Sequence, residues 1–417
     1  MIYIIPLLAA SFLIGANKKY RTLINPFSIF NLLWIFVGVL LCIGNEKVYT
    51  PSNLAQWIII IGITGFNIAS WSLKLKIGNK NSCDSNYIIN NNTLFALTII
   101  ITFFSFMSAA VSVQDLLNGV SYSAIRNNYY TYESENATLM YYVRNFLISP
   151  MTYVVLIGTT ISFFKESKIR KIQFACLAMI VLLQAMTSGG RYILMNTFFV
   201  FICCYYLFKK ENRLKLSQRF IITLLSVVLF YGIIYLTNER ATYDSRNMTI
   251  IQRLYSTVYT YFAGSVTYMG EVVKTYPFIV GSTYGLNFLA GFLTPVFSAF
   301  NFLHIISWPE VFNTIGRYAC SILQIGPKSY YNAMPTVFGY FYIDGGFILL
   351  FIESWLFGYI CKRLYIRAKE GNIYYVAVYT MMFVQICTSS TRWFWYSAEF
   401  CLAVIYMRII LKRIHEE

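Results

Sequence analysis

The sequence predicts an all-α integral membrane protein of about eleven transmembrane helices. Three observations carry that expectation. The 417-residue chain is 58% apolar and only 12% charged, against roughly 45–50% and about 25% in an average soluble domain. Apolar runs of about 20 residues, the length a helix needs to cross a hydrocarbon core, recur along the chain. Lysine collects in short clusters between alternate runs, as it does in cytoplasmic loops. Together these exclude a soluble enzyme, a disordered chain and a secreted disulfide module. The alternating segments of about ten residues that mark a membrane β-barrel are not visible.

The first span, 2–16, begins MIYIIPLLAASFLIG. It lacks the basic n-region of a signal peptide and is expected to be retained. Lys18, Lys19 and Arg21 close it. Spans at 26–44 and 54–73 follow, the latter ending before Lys74, Lys76 and Lys80. The run 94–112 leads into an outer segment, 113–146, that holds Tyr122, Tyr129, Tyr130, Tyr132, Tyr141 and Tyr142. The span 147–164 ends at Lys165, Lys168, Arg170 and Lys171. Runs 172–187 and 191–208 form a tight hairpin, followed by Lys209, Lys210, Arg213, Lys215 and Arg219.

After a span at 219–236 comes the longest excursion, 237–337, with its own apolar stretch from Gly285 to Ile306 broken by Pro295. A full span there would put the flanking basic clusters on opposite faces. The stretch is therefore expected to form a re-entrant or interfacial helix pair sheltered by protein. Spans at 338–360, 373–390 and 394–411 complete the set, with Lys362, Arg363, Arg367 and Lys369, then Arg408, Lys412 and Arg413, at inner ends. Residues 1–417 thus read as a single polytopic domain with the N-terminus outside and the C-terminus inside. The loops 113–146 and 237–337 are external, and the second is expected to carry the active site. No internal repeat is apparent.

On this topology lysines divide 14 inside to 3 outside, whereas arginines divide 8 to 8. The net charge of +16 therefore mostly faces the anionic lipids of the inner leaflet, not nucleic acid. The outer arginines need another explanation. Of the nine cysteines, Cys83 and Cys320 stand alone in loops, and the others lie in or beside apolar runs. With no CxxC or Cys/His metal spacing, neither disulfides nor zinc are expected.

Three constellations could carry chemistry. The first is Thr187-Ser188-Gly189-Gly190-Arg191. Gly189 and Gly190 permit a positive-φ turn with accessible amides, and the helix starting at Arg191 adds a dipole that favours an anion. The plain alternative is an interfacial arginine that snorkels beside a hairpin. The second is Arg240, Arg246 and Arg253 with Glu239 and Asp244, followed by Tyr255, Tyr259 and Tyr261. Arginines interleaved with tyrosines suit a ligand with anionic and sugar parts; an aromatic belt with ordinary loop charges is the alternative.

The third runs from Arg317, Lys328, Tyr330, Tyr331 and Asn332 into Thr336–Gly346. Asp344 lies several residues inside a helix, where an ionised carboxylate is costly. It could serve as a general base, orient an arginine, or form a structural ion pair. Glu353 and Glu399 lie deeper and are expected to cap internal hydrogen-bond networks, a catalytic or proton-coupled role being the alternative. Arg392 begins Arg392-Trp393-Phe394-Trp395-Tyr396 and reads as an interface anchor, with phosphate contact as the second choice. His304 sits in an apolar run and is expected to be packed; His415 is in the tail. No DxD, Walker or Rossmann pattern occurs, so no metal or cofactor is called for.

The SGGR hairpin, the large outer loop with its arginines and YTYFAGS, and NAMPT leading to YIDGG resemble the Wzy-type O-antigen and capsular polysaccharide polymerases. The resemblance covers the whole layout, with these short stretches carrying it residue by residue. It implies a metal-independent glycosyltransferase of GT-C-like architecture in a bacterial inner membrane. Its substrate would be an undecaprenyl-pyrophosphate-linked oligosaccharide. Its other partners would be membrane lipids and a chain-length regulator protein. By matching position, Arg191, Arg240, Arg246 and Arg253 would bind pyrophosphate, with Asp344 as base. The tyrosines, Arg317 and Arg392 would line the substrate. Three other functions fit the layout less well: an O-antigen ligase, for which His304 is the one outer-loop histidine, a lipid-linked oligosaccharide flippase, and a structural sugar-binding membrane protein, which leaves the arginine pattern unexplained.

Overall fold

The computed structural model describes residues 1–72, 87–120, 142–165, 171–188, 192–208, 249–307, 318, 321–327, 329–331 and 335–413. In chain order its helices are α1 (Ile4–Tyr20), α2 (Pro26–Ile43), α3 (Asn53–Trp71), α4 (Asn91–Leu117), α5 (Ser149–Phe164), α6 (Lys171–Ser188) and α7 (Tyr192–Phe208). There follow α8 (Ile250–Phe262), α9 (Gly264–Thr275), α10 (Leu286–Phe302), α11 (Val337–Lys369), α12 (Ile373–Cys387) and α13 (Ala398–Tyr406). Strands among the described residues are short: β1 (Tyr87–Ile89), β2 (Leu323–Gly326), β3 (Ser329–Tyr331) and β4 (Leu411–Arg413). Among the described residues five helices are long and apolar enough to cross a membrane: Pro26–Ile43, Asn53–Trp71, Asn91–Leu117, Arg144–Phe164 and Val337–Lys369. The expected span 219–236 and most of the loop 113–146 lie outside the described residues.

The chain divides into two compact units. The first comprises Met1–Asn81, Ile250–Ile366 and Gln385–Ala398. Its α2 starts where Asn25 accepts the Ser28 amide at 2.9 Å and Pro26 pre-sets the first turn. It ends at Gly44, whose φ of 74° stops the helix. Helices α2 and α3 are pinned by a reciprocal amide pair, Asn31 to Asn67 at 2.8 Å and back at 3.0 Å. Helices α3 and α11 touch backbone to side chain. A Cβ on Gly62 would fall 2.3 Å from the Phe338 ring, and one on Gly358 2.3 Å from the Phe66 carbonyl. Small residues at crossings are how membrane helices gain contact without a water-driven hydrophobic effect. Around them Phe30 stacks on Phe66 at 3.8 Å and Trp34 on Phe338 at 5.1 Å.

The second unit comprises Ser82–Thr249, Arg367–Val384 and Glu399–Glu417. Its helices are locked by polar pairs in an apolar core: Asn196 donates to the Tyr153 hydroxyl at 3.0 Å and Gln184 to Thr152 at 2.8 Å. Strands β1 and β4 pair antiparallel, with Tyr87 opposite Arg413.

Three expected elements differ. The span 394–411 is not one helix. A single turn, Phe394–Tyr396, is followed by the nine-residue α13, a further turn at Met407–Ile410, and β4. Nine residues rise only about 14 Å. Extended backbone at Trp393 and Ser397 keeps the chain from winding earlier, and the pairing with β1 ends it. The stretch 285–306 holds one helix rather than a pair: α10 passes through Pro295 and ends at Phe302. Its exposed Leu289, Phe292, Val296 and Phe300 form one apolar stripe. Lastly, α11 runs well past 360 and is broken at Gly345 and Gly346, whose φ/ψ pairs of −175°/41° and 63°/−149° are not helical.

Candidate functional site

Within the first unit the two ends of α3 differ in chemistry. The last carbonyls of a helix have no partner inside it and carry partial negative charge. Here Lys362 donates to those of Ala69 at 3.4 Å and Ser70 at 3.1 Å, and also to Ser72. Lys19 donates to the Ser70 carbonyl as well. Two lysines from separate sequence clusters thus meet on one helix end. At the other end Ser52 accepts the Ala55 amide at 3.2 Å. The chain before it is held by the long excursion: Tyr49 donates its amide to Ile325 at 2.7 Å, and Thr267 its hydroxyl to Tyr49 at 3.0 Å. Nineteen helical residues separate these ends by about 28 Å.

The excursion folds around α8 and α9. Tyr255 is exposed and donates to the Gly44 carbonyl at 3.0 Å, closing the turn after α2. Tyr259 is buried, and that burial, with Tyr255 beside it, pushes its phenol up to about 12. Its hydroxyl therefore remains a neutral donor at physiological pH. Tyr261 and Arg253 are half-buried on the same helix, and Tyr330 is exposed on β3. The Tyr331 hydroxyl donates to the Tyr261 carbonyl at 3.4 Å.

Arg392 directly follows a buried hydroxyl-rich turn, Thr388–Thr391, fastened on both sides. Ser265 of α9 donates to the Ser390 carbonyl at 2.6 Å, and the Ser389 carbonyl accepts the Val337 amide that starts α11 at 2.9 Å. Gln385 holds the next segment by donating to the Arg392 carbonyl at 3.0 Å and accepting the Phe394 amide at 2.6 Å. The guanidinium stacks 3.9 Å from the Phe394 ring centre. The turn is thus bonded to Ser265, three residues past the end of α8.

Asp344 sits one residue before the break in α11 and is fully buried. Its carboxylate caps α10 from across the fold. One oxygen accepts the Thr283 hydroxyl and the Asn287 amide at 3.0 Å; the other accepts the Phe288 amide at 3.1 Å. These are second- and third-position amides of a helix start, where negative charge is stabilised. A hydrogen bond also joins its carboxyl to that of Glu353. The break frees the Ile343 carbonyl, which accepts the Gly281 amide at 2.8 Å. Gly281, at φ 79°, and Gly285, at φ 87°, let the intervening chain turn tightly enough to deliver α10 to this point.

Of the residues singled out from sequence, Asp344, Arg253, Tyr255, Tyr259, Tyr261, Tyr330 and Arg392 all belong to this unit. Gly189, Gly190, Arg191, Arg240, Arg246 and Arg317 lie outside the described residues. Among the described residues Asp344 has no arginine partner, and both its oxygens accept donors from the start of α10 and the turn before it, the geometry of a positioning residue. His304 is exposed just beyond α10, at φ 56°, rather than packed. Thr283, Asn287 and Gln385 were not foreseen. The signal for the first two was local, a Gly-x-Thr-x-Gly turn running into an apolar helix. Gln385 gave none. Among the described residues no group of three His, Cys, Asp or Glu side chains is placed to hold a metal ion.

Comparison of the chain with protein-family models, with curated proteins and with solved structures gives no match in any of the three.

Proposed function

We propose that the chain is a membrane-embedded glycosyltransferase. It polymerises undecaprenyl-pyrophosphate-linked oligosaccharide repeat units on the outer face of a bacterial inner membrane. In this reading the eleven apolar segments cross the membrane in a GT-C-like arrangement, the last of them as the short α13 with its flanking turns rather than as one helix, with the N-terminus outside and the C-terminus cytoplasmic. A chain-length regulator protein is its partner. The observation that carries the reading is the segregation of donors along one unit. Lysines converge on one end of α3, while the chain entering its other end is held by Thr267. Tyr255 and Ser265 of the same excursion bond the turn after α2 and the turn before Arg392. A lipid-linked pyrophosphate presents its charge and its sugar together at a membrane boundary. Arginine forks and tyrosine rings suit that pair of chemistries.

The acceptor sugar hydroxyl attacks the anomeric carbon, the carbon–oxygen bond to pyrophosphate breaks, and its electrons stay on the leaving group. Arginines fixed in a water-poor site stabilise the charge that develops there. Arg191, Arg240 and Arg246 have that role by sequence, and Arg253, Arg317 and Arg392 bind substrate. Asp344 acts by holding α10 in place, because taking a proton would mean surrendering donors it already holds.

The test is chain extension by purified protein supplied with a lipid-linked repeat unit. Arg191→Lys and Arg246→Lys should insert normally and lose about 10²–10³ in rate, or about 2.7–4 kcal/mol of transition-state stabilisation. A lysine cannot reproduce a two-pronged phosphate contact. Exposed Lys274, which pairs with Glu271 at 3.7 Å, should tolerate substitution by methionine. Wild-type product lengths from both arginine variants would remove these residues from the chemistry. Transfer of a single unit would indicate a ligase, and transbilayer movement without a new bond a flippase.

A further inference from the structure

Two carboxyls of α11 meet against the first turn of α10, with Asp344 fully buried and Glu353 only 5% exposed. In an unbroken helix, residues nine apart stand about 13.5 Å apart along the axis. The break at Gly345 and Gly346 closes that gap and makes the contact possible. Glu353 also borders the start of α10: a Cβ on Gly285 would lie 3.6 Å from its Oε1.

The donors are distributed unevenly. Asp344 receives the Thr283 hydroxyl and the amides of Asn287 and Phe288. Glu353 has Asp344 as its hydrogen-bond partner, and its Oε2 has none. The neighbouring Asn287 Oδ1 also lacks a donor. The groups that α10 turns toward the pair are a hydroxyl and amides, none of them titratable. Trp393, from the turn after α12, stacks on Phe288 at 5.3 Å and meets Phe341 edge to face at 5.1 Å, adding apolar cover. Among the described residues no lysine, arginine or histidine bonds either carboxyl. Two ionised carboxylates cannot hydrogen-bond to each other, and in a low-dielectric interior they repel strongly.

We propose that Asp344 and Glu353 bind one exchangeable proton between them, and that this proton keeps the first turn of α10 docked on the break in α11. Glu353 carries it, because Asp344 already accepts three donors. The proton moves from Glu353 to solvent when the turn undocks and returns when it closes; no bond to carbon is involved. The proposal does not rest on which reaction the chain performs.

The sign of the pH response follows from counting protons. Undocked carboxyls in water are both ionised at neutral pH, so the docked state holds one proton more. Docking therefore weakens as pH rises, with a limiting slope of about tenfold in the opening constant per pH unit. Hydrogen–deuterium exchange of the full chain in lipid nanodiscs, expressed as protection factors, reads this directly. Between about pH 6 and about pH 9 the Asn287 and Phe288 amides should lose protection toward that slope. In Glu353→Gln, whose carboxamide donates to Asp344 without a titrating proton, protection should stay flat. No slope in the wild type, or equal slopes in both, would overturn the proposal. If the variant fails to fold, infrared spectra of the wild type decide. A protonated-carboxyl band at neutral pH that fades at high pH supports the pair, and its absence at neutral pH refutes it.

Discussion

Helix α11 carries a buried charge toward each end, and the two are held in mirror-image ways. Lys362 points its ammonium at the C-terminal carbonyls of α3; Asp344 points its carboxylate at the N-terminal amides of α10. Each sign matches the partial charge of the helix end it meets. The reach differs. A lysine has four methylenes and finds the end of α3 from an intact helix. An aspartate has one, so the backbone itself must break at Gly345 and Gly346 and receive the Gly281 amide.

The company differs too. Lys362 shares its carbonyls with Lys19, an exposed residue. Asp344 shares its site with the buried Glu353. The basic end can shed excess charge into solvent, and the acidic end cannot. A buried charge in a membrane helix is thus first a fastener between helices, and a candidate for chemistry only when its own oxygens or protons remain open.

The largest expected effect breaks the acidic end. Asp344→Ala leaves the Asn287 and Phe288 amides dry, each costing about 1–3 kcal/mol, and should lower stability by about 3 kcal/mol in thermal unfolding of the detergent-solubilised chain. Near-wild-type stability would mean that α10 is held by its apolar contacts alone. Next comes Lys362→Met, which keeps the stem packing and removes the ammonium. A loss of about 2 kcal/mol is expected, smaller because Lys19 still serves the Ser70 carbonyl. Equal losses from the two variants would erase the distinction between a wet and a dry end. The smallest, Gly346→Ala, probes the break. At φ 63° and ψ −149° a side chain is strained by about 1–3 kcal/mol. Exchange protection should fall at residues 281–288 and stay unchanged at 69–72. Uniform loss would mean that the break supports the whole unit.

Much of this was legible in residue order. The apolar runs at 26–44 and 54–73 anticipate α2 and α3 within two residues at either end, because hydropathy over about 20 residues measures the quantity a bilayer selects. Asp344 and Glu353 also stood out, as carboxyls inside an apolar helix. What each would touch did not. The Asp344 partners lie 56 to 61 positions earlier, and no local pattern encodes a bond at that separation. The last segment failed for a related reason. Residues 394–411 are apolar enough for a span, but hydropathy is blind to the Gln385 bonds that hold Arg392 and Phe394 in a turn.

Composition and pattern alone thus determined that this chain is mostly helical and rich in membrane-length helices. They also marked two carboxyls of α11 as residues that needed a partner. Those properties depend on side-chain transfer energies, which add along a sequence. The tertiary structure decided the rest: where α11 breaks, which helix Asp344 caps, and where along α10 Glu353 comes to lie. Hydrogen-bond partners are assigned by position in space, and a donor 60 residues away counts for as much as one next door.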